Sequence, residues 1–217
     1  MGTRVNVEMN GFVLEESSTK VETLLGCCIE PNLKWHKHVE ELGKKLKKRL
    51  AGLECIRDIV SFDTRKIIAE GMFTSVLTYC LPLFSGCDKN SLDYLQVLQN
   101  KAARIVTRSG PRTTRREMFN EVQWLTVKQL MFYHSALTTF RVRQSGEPEY
   151  LSRQLLYENA RGNIIIPHSS LSLAMKSYCY KGAADWNCLP HSIRSQEKMS
   201  KFKEDLKRWI LDNVEQF

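Results

Sequence analysis

The sequence lacks the residue patterns that most catalytic sites require. Its aspartates are scattered and no two are adjacent, whereas Mg²⁺-dependent phosphoryl transfer needs carboxylates clustered around the metal. No glycine-rich phosphate loop and no Gly-x-Ser-x-Gly nucleophile elbow occurs. We therefore expect no catalytic residues and no cofactor.

Recognisable metal-ligand pairs are missing as well. His36 and His38 follow Cys27 and Cys28, but this spacing is not one that zinc sites use, and no second pair appears downstream. His134 lies on an apolar helical face, where a histidine usually belongs to the core. The sequence therefore predicts no metal site.

Signals for secretion or membrane insertion are also absent. The seven cysteines are an odd number without a disulfide-framework spacing, as is typical of reduced cysteines inside a cell. There is no Asn-x-Ser/Thr sequon, no pattern typical of a signal peptide and no apolar run long enough to span a bilayer. Met1-Gly2 resembles the start of a myristoylation site, but Asn6 stands where Ser or Thr is required. We expect an intracellular protein, cytoplasmic or nuclear, with no membrane partner.

The apolar pattern predicts a mainly α fold with small β elements (α+β). An alternating segment before Asn10-Gly11 and an apolar one after it predict an N-terminal β-hairpin, and residues 21–29 are predicted to be a further extended segment. From His36 onward the period becomes helical. The stripe of this first helix is Val39, Leu42, Leu46, Leu50, Leu53, Ile56 and Val60.

Further helices follow. A second helix, capped by Ser61 or Asp63, is predicted to end or kink near Pro82. A third should begin near Asn90 and stop at residues 109–111. The predicted stripes are Ile68, Met72, Val76, Tyr79 and Leu83 for the second helix, and Leu92, Leu95, Leu98, Ala102 and Ile105 for the third. Two capping boxes, Thr114 with Glu117 and Thr126 with Gln129, predict two more helix starts.

The helical signal weakens after residues 146–148. We expect a short strand at 163–166, alternation through Leu171, Leu173 and Met175, an extended segment at 177–180, and a final amphipathic helix capped by Ser200. These features divide the chain into three predicted regions: a β-hairpin at 1–30, a helical bundle at 31–146 and a C-terminal α+β region at 147–217.

Positive charge is the strongest functional signal, with a formal net charge of +8. Lys101, Arg104 and Arg108 share a face of the third helix that no acid interrupts, since Asp93 and Glu117 lie at its far ends. Such surfaces bind phosphate backbones by releasing counterions, although a charge run can also be a solvated helix face. The candidate nucleic-acid-binding residues are Lys44, Lys45, Lys47, Lys48, Arg49, Lys101, Arg104, Arg108, Arg112, Arg115 and Arg116.

Several short segments occur in a characteristic order. They are Leu24-Leu25-Gly26, Trp35 with His38, residues 79–86, 95–107, 177–182, 186–190 and 200–203. This order resembles the C-terminal part of reverse transcriptases from non-LTR (LINE-type) retrotransposons, although Leu24 replaces the usual aromatic and Phe84 the usual Trp. The resemblance implies that residues up to about 30 end the palm and that 36–108 form the thumb, which grips the backbone of a template–primer duplex.

By the same resemblance, the fingers and the Tyr-x-Asp-Asp strand should precede Met1, so we expect a fragment that binds RNA, DNA or an RNA–DNA duplex without polymerising. Gly26, Trp35, Trp186 and Pro190 are interpreted as structural. The alternative is a protein-interaction or vestigial module whose exposed N-terminal sheet edge, within residues 21–29, pairs with a partner. An independent enzyme is the least favoured reading.

Overall fold

The chain is mainly helical with small β elements at its N-terminus, as predicted. A computed structural model describes residues 7–9, 12–14, 21–31, 33–84, 86–160, 162–166, 175 and 177–213. The strands are β1 (Val7–Met9), β2 (Phe12–Leu14), β3 (Glu22–Leu24) and β4 (Cys27–Ile29). The helices are α1 (His36–Ile56), α2 (Phe62–Ala69), α3 (Ser75–Thr78), α4 (Lys89–Thr107), α5 (Arg115–Val122), α6 (Val127–Ser145), α7 (Glu149–Leu155), α8 (Tyr178–Asn187), α9 (His191–Arg194) and α10 (Met199–Asp212).

The N-terminal strands form two antiparallel hairpins in separate sheets. In the first, Met9 pairs with Phe12, which confirms the predicted hairpin, while Asn10 and Gly11 lie outside the described residues. The prediction of one extended segment over 21–29 is wrong. Leu25 and Gly26 have φ of 48° and 80°, and two consecutive residues of positive φ form the tight turn that folds β4 back on β3.

Local capping signals predicted the starts of α2, α5 and α6 correctly. Both capping boxes form, at Thr114 and at Thr126. Ser61 caps α2 through Thr64 N at 3.3 Å, and Asp88, one residue before α4, accepts from Ser91 N at 3.0 Å. The stripe of α1 is buried from Val39 to Leu53, and the helix ends at Ile56, so Val60 lies beyond it.

The buried face of the second helical segment differs from the prediction. A π turn, Glu70–Thr74, joins α2 to α3, and Tyr79 and Leu83 are exposed. The wider π turn brings positions four residues apart back onto one face, which the regular α period did not reveal. The residues buried on this face are Arg65, Ala69, Phe73 and Leu77. The segment ends at Thr78, before Pro82, as expected.

Three C-terminal predictions need correction. Residues 177–180 are not extended, because the Ser177 hydroxyl caps α8 through Tyr180 N at 3.4 Å. The predicted strand at 163–166 is a single bridge between Glu158 and Ile164. The last helix begins at Met199, with Lys198 as N-cap and no side-chain cap bond, rather than at a Ser200 cap. Leu171 and Leu173 lie outside the described part.

The core is one continuous apolar cluster that reaches from α1 to α10. Helix α6 is buried on most of its circumference, because it packs against α4, α8 and α10. Phe140 of α6 stacks on Phe202 of α10 with ring centroids 4.1 Å apart, and Trp186 of α8 lies beside Phe202. The cluster therefore crosses the predicted boundary at 146/147, and the division into regions stays a prediction. Across the described ranges, no helix has the length and apolarity that a bilayer crossing requires.

Candidate functional site

Helices α1 and α4, which carry most of the candidate cations, run side by side in the same direction. At their N-terminal ends His36 Nδ1 lies 3.2 Å from Asp88 Oδ2. Near the middle, Lys47 Nζ lies 5.4 Å from the centroid of the Tyr94 ring. At the C-terminal ends Arg108 Nε donates to the carbonyl of Arg57 at 2.9 Å. Because contacts occur in the same order along both helices, the two helices are parallel.

Gly43 of α1 leaves room for the end of the Tyr94 side chain of α4. A Cβ atom at this position would lie 2.3 Å from Tyr94 Oη, well inside van der Waals contact. Below this contact, Leu46 and Leu50 of α1 and Leu95 of α4 are buried in the shared core. The absence of a side chain at Gly43 therefore sets where Tyr94 sits and positions Lys47 above its ring.

A buried arginine joins the C-terminal ends of the two helices. Arg65 of α2 is only 5% exposed and donates to Val106 O at 2.9 Å, to Arg57 O at 3.1 Å and to Val60 O. Carbonyls at helix C-termini lack intrahelical donors and carry partial negative charge, so one guanidinium stabilises both ends. Sequence reasoning missed Arg65. Arg65 precedes Ala69 by four residues, and Ala69 precedes Phe73 by four. This spacing was the signal that could have placed Arg65 on the buried face.

Between these contacts lies a groove with a volume of about 360 Å³, which we call the α1–α4 groove. Its lining residues are Leu50, Ala51, Glu54, Arg57, Lys101, Arg104 and Ile105. Lys101 is exposed, whereas Arg104 is half-buried and donates to the carbonyls of Gly110 and, at 3.5 Å, of Thr113. The Arg104 guanidinium is therefore held in place by the loop after α4.

The structure brings together only some of the predicted cations. Lys47, Lys101, Arg104 and Arg108 lie along the seam of the α1–α4 groove. The sequence suggested that no acid interrupts this face, but the structure places two acids on it. Asp58 Oδ1 lies 3.4 Å from Arg108 Nε, and Glu54 Oε1 lies 3.0 Å from Arg57 Nη1. Both acids come from the end of α1 or the residues after it, which sequence spacing on α4 alone does not reveal.

The other cations of α1 point elsewhere. Lys44 is held by Glu40 at 2.8 Å and Glu41 at 2.9 Å, and hydrogen bonds from Lys44 and Lys37 lower the pKa of Glu40 to about 2. Lys45 lines a different groove, beside Tyr79 and the β3–β4 hairpin. Arg49 follows Lys45 by one helical turn, on the same flank, and Lys48 is exposed on the side away from Leu46.

The three remaining arginines follow α4. Arg112, Arg115 and Arg116 are all exposed. Arg115 lines a small cavity of about 170 Å³ with Asp93 and Gln96 of α4, on the flank of α4 opposite Lys101. The structure therefore does not place Arg115 in the α1–α4 groove.

The β3–β4 hairpin presents a second, apolar surface. Leu24 is 62% exposed and Leu25 82% exposed, both at the turn end of the hairpin. The hairpin is anchored by Tyr79 Oη, which donates to Leu25 O at 2.6 Å, and by Cys28 N, which donates to His38 Nδ1 at 3.3 Å. Burial lowers the pKa of His38, so its ring stays neutral and can accept this hydrogen bond.

Burial shifts the pKa of two further candidate groups. Burial, followed by the neighbouring Cys80 thiol, raises the pKa of Cys27 to about 11, which disfavours the nucleophilic thiolate. Burial lowers the pKa of His134 on α6. In the ranges that the structure describes, no three His, Cys, Asp or Glu residues are arranged to hold a metal ion.

No protein-family model, curated protein or solved structure matches this chain. The resemblance to LINE-type reverse transcriptases therefore stays a prediction, and the chemistry of the α1–α4 groove has to be argued from its own residues.

Proposed function

We propose that this chain binds the sugar–phosphate backbone of RNA, DNA or an RNA–DNA duplex, without catalysis, through the α1–α4 groove. The role is that of a thumb-like gripping element, as the sequence resemblance to LINE-type reverse transcriptases implies. The observation that carries the proposal is the parallel packing of α1 and α4, which aligns Lys47 with Lys101, Arg104 and Arg108 on one seam.

The spacing of these cations suits a phosphate strand. Lys101 and Arg108 are seven residues apart, which corresponds to about 10 Å along a helix. Each strand of B-DNA rises about 3.4 Å along the duplex axis per nucleotide, so this interval corresponds to the axial rise of about three nucleotides. Because Arg65, Gly43 and the shared leucines fix the two helices relative to each other, the cations are preorganised rather than gathered on binding.

Lys47 and Lys101 provide the sharpest test, since Arg104 and Arg108 also bind loop carbonyls and their removal would disturb the fold. We expect the double variant Lys47→Glu/Lys101→Glu to bind a fluorescein-labelled RNA–DNA duplex at least about tenfold more weakly. The slope of log affinity against log salt should also fall by about 2, one unit for each lost phosphate contact. Fluorescence anisotropy at four salt concentrations measures both quantities.

The matched control is Lys198→Glu/Lys203→Glu, which changes the net charge equally at the start of α10, where acids are tolerated by the helix dipole. This control should retain most of the affinity and the wild-type salt slope. Equal weakening in both double variants would show that only total charge matters and would contradict the α1–α4 groove as the site. Absence of salt-dependent binding by the wild-type chain would reject the function.

The exposed hairpin turn favours a second candidate, a protein-interaction module. Leu24 and Leu25 are exposed apolar residues at the turn end of the β3–β4 hairpin, and adjoining exposed apolar side chains are typical of protein interfaces. The occupant that this surface fits most simply is the same turn of a second copy, because a twofold contact packs identical apolar patches against each other. Concentration-dependent sedimentation without any nucleic-acid binding would favour this candidate over the first.

A further inference from the structure

The α1–α4 groove has an apolar floor that backbone binding leaves unexplained. Leu50 and Ile105 are 9% and 8% exposed, and Ala51 adjoins them on the exposed side of α1. Phosphates and sugars interact through charge and hydrogen bonds, and they gain little from aliphatic carbon. An apolar floor between cations instead suits a ligand that has both an apolar face and an anionic group.

The dimensions of the groove suit a small ligand better than a whole duplex. Its volume of about 360 Å³ is at the lower end of the range for small-ligand sites, about 300–1,000 Å³. The Tyr94 ring beneath Lys47 lies towards one end, and the contact between Arg108 and the Arg57 carbonyl lies at the other. These contacts limit the length of ligand that can enter between the helices.

The polar groups of the groove match the two halves of a nucleotide. Lys101 and Arg104 supply positive charge for a phosphate, whereas the charge of Arg57 is already paired with Glu54 at 3.0 Å. Arg57 Nε is buried and has no hydrogen-bond partner among the described residues, which leaves a donor to be satisfied. The Glu54 carboxylate would repel a phosphate but can accept a hydrogen bond from the exocyclic amine of a base.

Building on the proposed backbone binding, we propose that the α1–α4 groove receives one unpaired nucleotide. Its base lies on Leu50, Ala51 and Ile105, and its phosphate lies between Lys101 and Arg104. The preferred ligand is then single-stranded nucleic acid, or a single-stranded stretch beside a duplex, whose bases are free to leave the stack. A free nucleotide and a nucleotide within a strand are both nucleoside phosphates, so the groove would recognise the same chemical groups in both.

The test compares strands with and without bases. Anisotropy of the full chain is measured with a labelled single-stranded decamer of deoxyadenosine and with an abasic decamer of the same charge. We expect the wild-type chain to bind the base-containing strand about tenfold more tightly, the scale of one well-placed base contact. Adenosine monophosphate should compete with the decamer at lower concentration than ribose 5-phosphate.

Ala51→Leu narrows the groove from an exposed helical position, removes no hydrogen bond or charge and adds no aromatic ring on which a base could stack, so folding should persist. We expect the ratio of its affinities for the base-containing and the abasic decamer to fall from about ten towards one, whatever happens to the affinity for the phosphate backbone. The control Ser200→Leu, on the exposed side of α10, should behave like the wild type.

The outcomes separate this inference from the function on which it rests. Equal wild-type affinity for the two decamers, or a base preference that survives Ala51→Leu, overturns the nucleotide site and leaves backbone binding intact. Failure of the wild-type chain to bind any of the nucleic acids overturns both.

Discussion

Asp185 of α8 is a carboxylate in surroundings that disfavour its charge. It is 6% exposed, and its Oδ2 atom is buried without a hydrogen-bond partner among the described residues. Lys181 Nζ, 3.4 Å from Oδ1, is the one cation that the structure pairs with it in the described part. Burial raises the pKa of Asp185, and Lys181 and the nearby Ser135 hydroxyl oppose this only in part.

This burial predicts a particular dependence of stability on pH. The pKa of Asp185 is raised in the folded state, so the protonated carboxyl makes its full contribution to the free energy of unfolding at low pH. This contribution is lost as the pH rises through the folded-state pKa, because the buried carboxyl then ionises. We expect Asp185→Asn to raise the free energy of unfolding at pH 7 by about 1–2 kcal/mol, the scale of an unsatisfied buried polar atom. The difference from the wild type should shrink as pH falls towards 4.

Urea unfolding at pH 4, 5, 6 and 7 measures this difference. Asp212→Asn, at the exposed end of α10, is the matched control and should show no comparable pH dependence. If the free energies of unfolding of Asp185→Asn and the wild type differ by the same amount at pH 7 and at pH 4, the charge of Asp185 is not the source of the effect.

At the same scale, sequence reasoning located the cations but not their partners. Lys44, Lys101 and Arg108 are all exposed, as their helical positions indicate. Yet Lys44 is bound by two glutamates on its own helix, Arg108 contacts Asp58 from another segment, and no ion pair is recorded for Lys101 among the described residues. Local spacing could have identified the first pair, because i,i+3 and i,i+4 residues are neighbours on a helix. The contact with Asp58 depends on packing between helices.

At the scale of elements, Arg65 is the residue that ties α1, α2 and α4 together. Arg65→Ala would remove a buried guanidinium together with its hydrogen bonds to the carbonyls of Val106, Arg57 and Val60, of which Arg57 O would keep the bond from Arg108 Nε. We expect a loss of about 3 kcal/mol or more in the free energy of unfolding, and about 1 kcal/mol or more for Arg65→Lys, whose single ammonium cannot reproduce the planar fork. Denaturant unfolding measures both values.

The control for these variants is Arg116→Ala, an exposed arginine on α5 that should change stability by less than about 0.5 kcal/mol. Amide hydrogen exchange adds a local readout, since loss of Arg65 should accelerate exchange in the last turns of α1 and α4 first. If Arg65→Ala and Arg116→Ala have the same stability, the guanidinium is not the link between the helix ends.

Elements with strong local signals were predicted well, and those without were not. The capping boxes of Thr114 and Thr126 each satisfy two backbone donors within four residues, so their helices follow from local sequence. Ser177 is also a good N-cap, but the alternation before it favoured an extended segment. The helix there is stabilised by contacts from α6, since Tyr178 Oη donates to Ser135 O and lies 2.9 Å from Thr139 Oγ1. Those partners are about 40 residues away.

At the scale of the whole molecule, the continuous core predicts one cooperative unit. Phe202 of α10 is fully buried against Phe140 and Trp186. We expect Phe202→Ala to lower the free energy of unfolding by about 3–5 kcal/mol. Tryptophan fluorescence and far-UV circular dichroism should report the same shifted midpoint, because a single core unfolds in one step.

The same experiment tests the predicted division at 146/147. If the C-terminal region were a separate domain, Phe202→Ala would shift only part of the circular dichroism signal and leave α1 to α6 folded at the wild-type midpoint. The replacement Phe202→Leu, which keeps most of the apolar volume, is the control and should cost less than Phe202→Ala.

The sequence by itself determined the helical class of this protein, the starts of α1 and α4 to within one residue and the sign of their exposed charge. These features depend on residues within one or two turns of each other, and their periodicity and caps are local. Only the tertiary structure decided which cations share a groove, that acids enter it and that aliphatic side chains form its floor. Those features join side chains about 50 residues apart, and their relative placement follows from packing at Gly43 and from the carbonyls bound by Arg65.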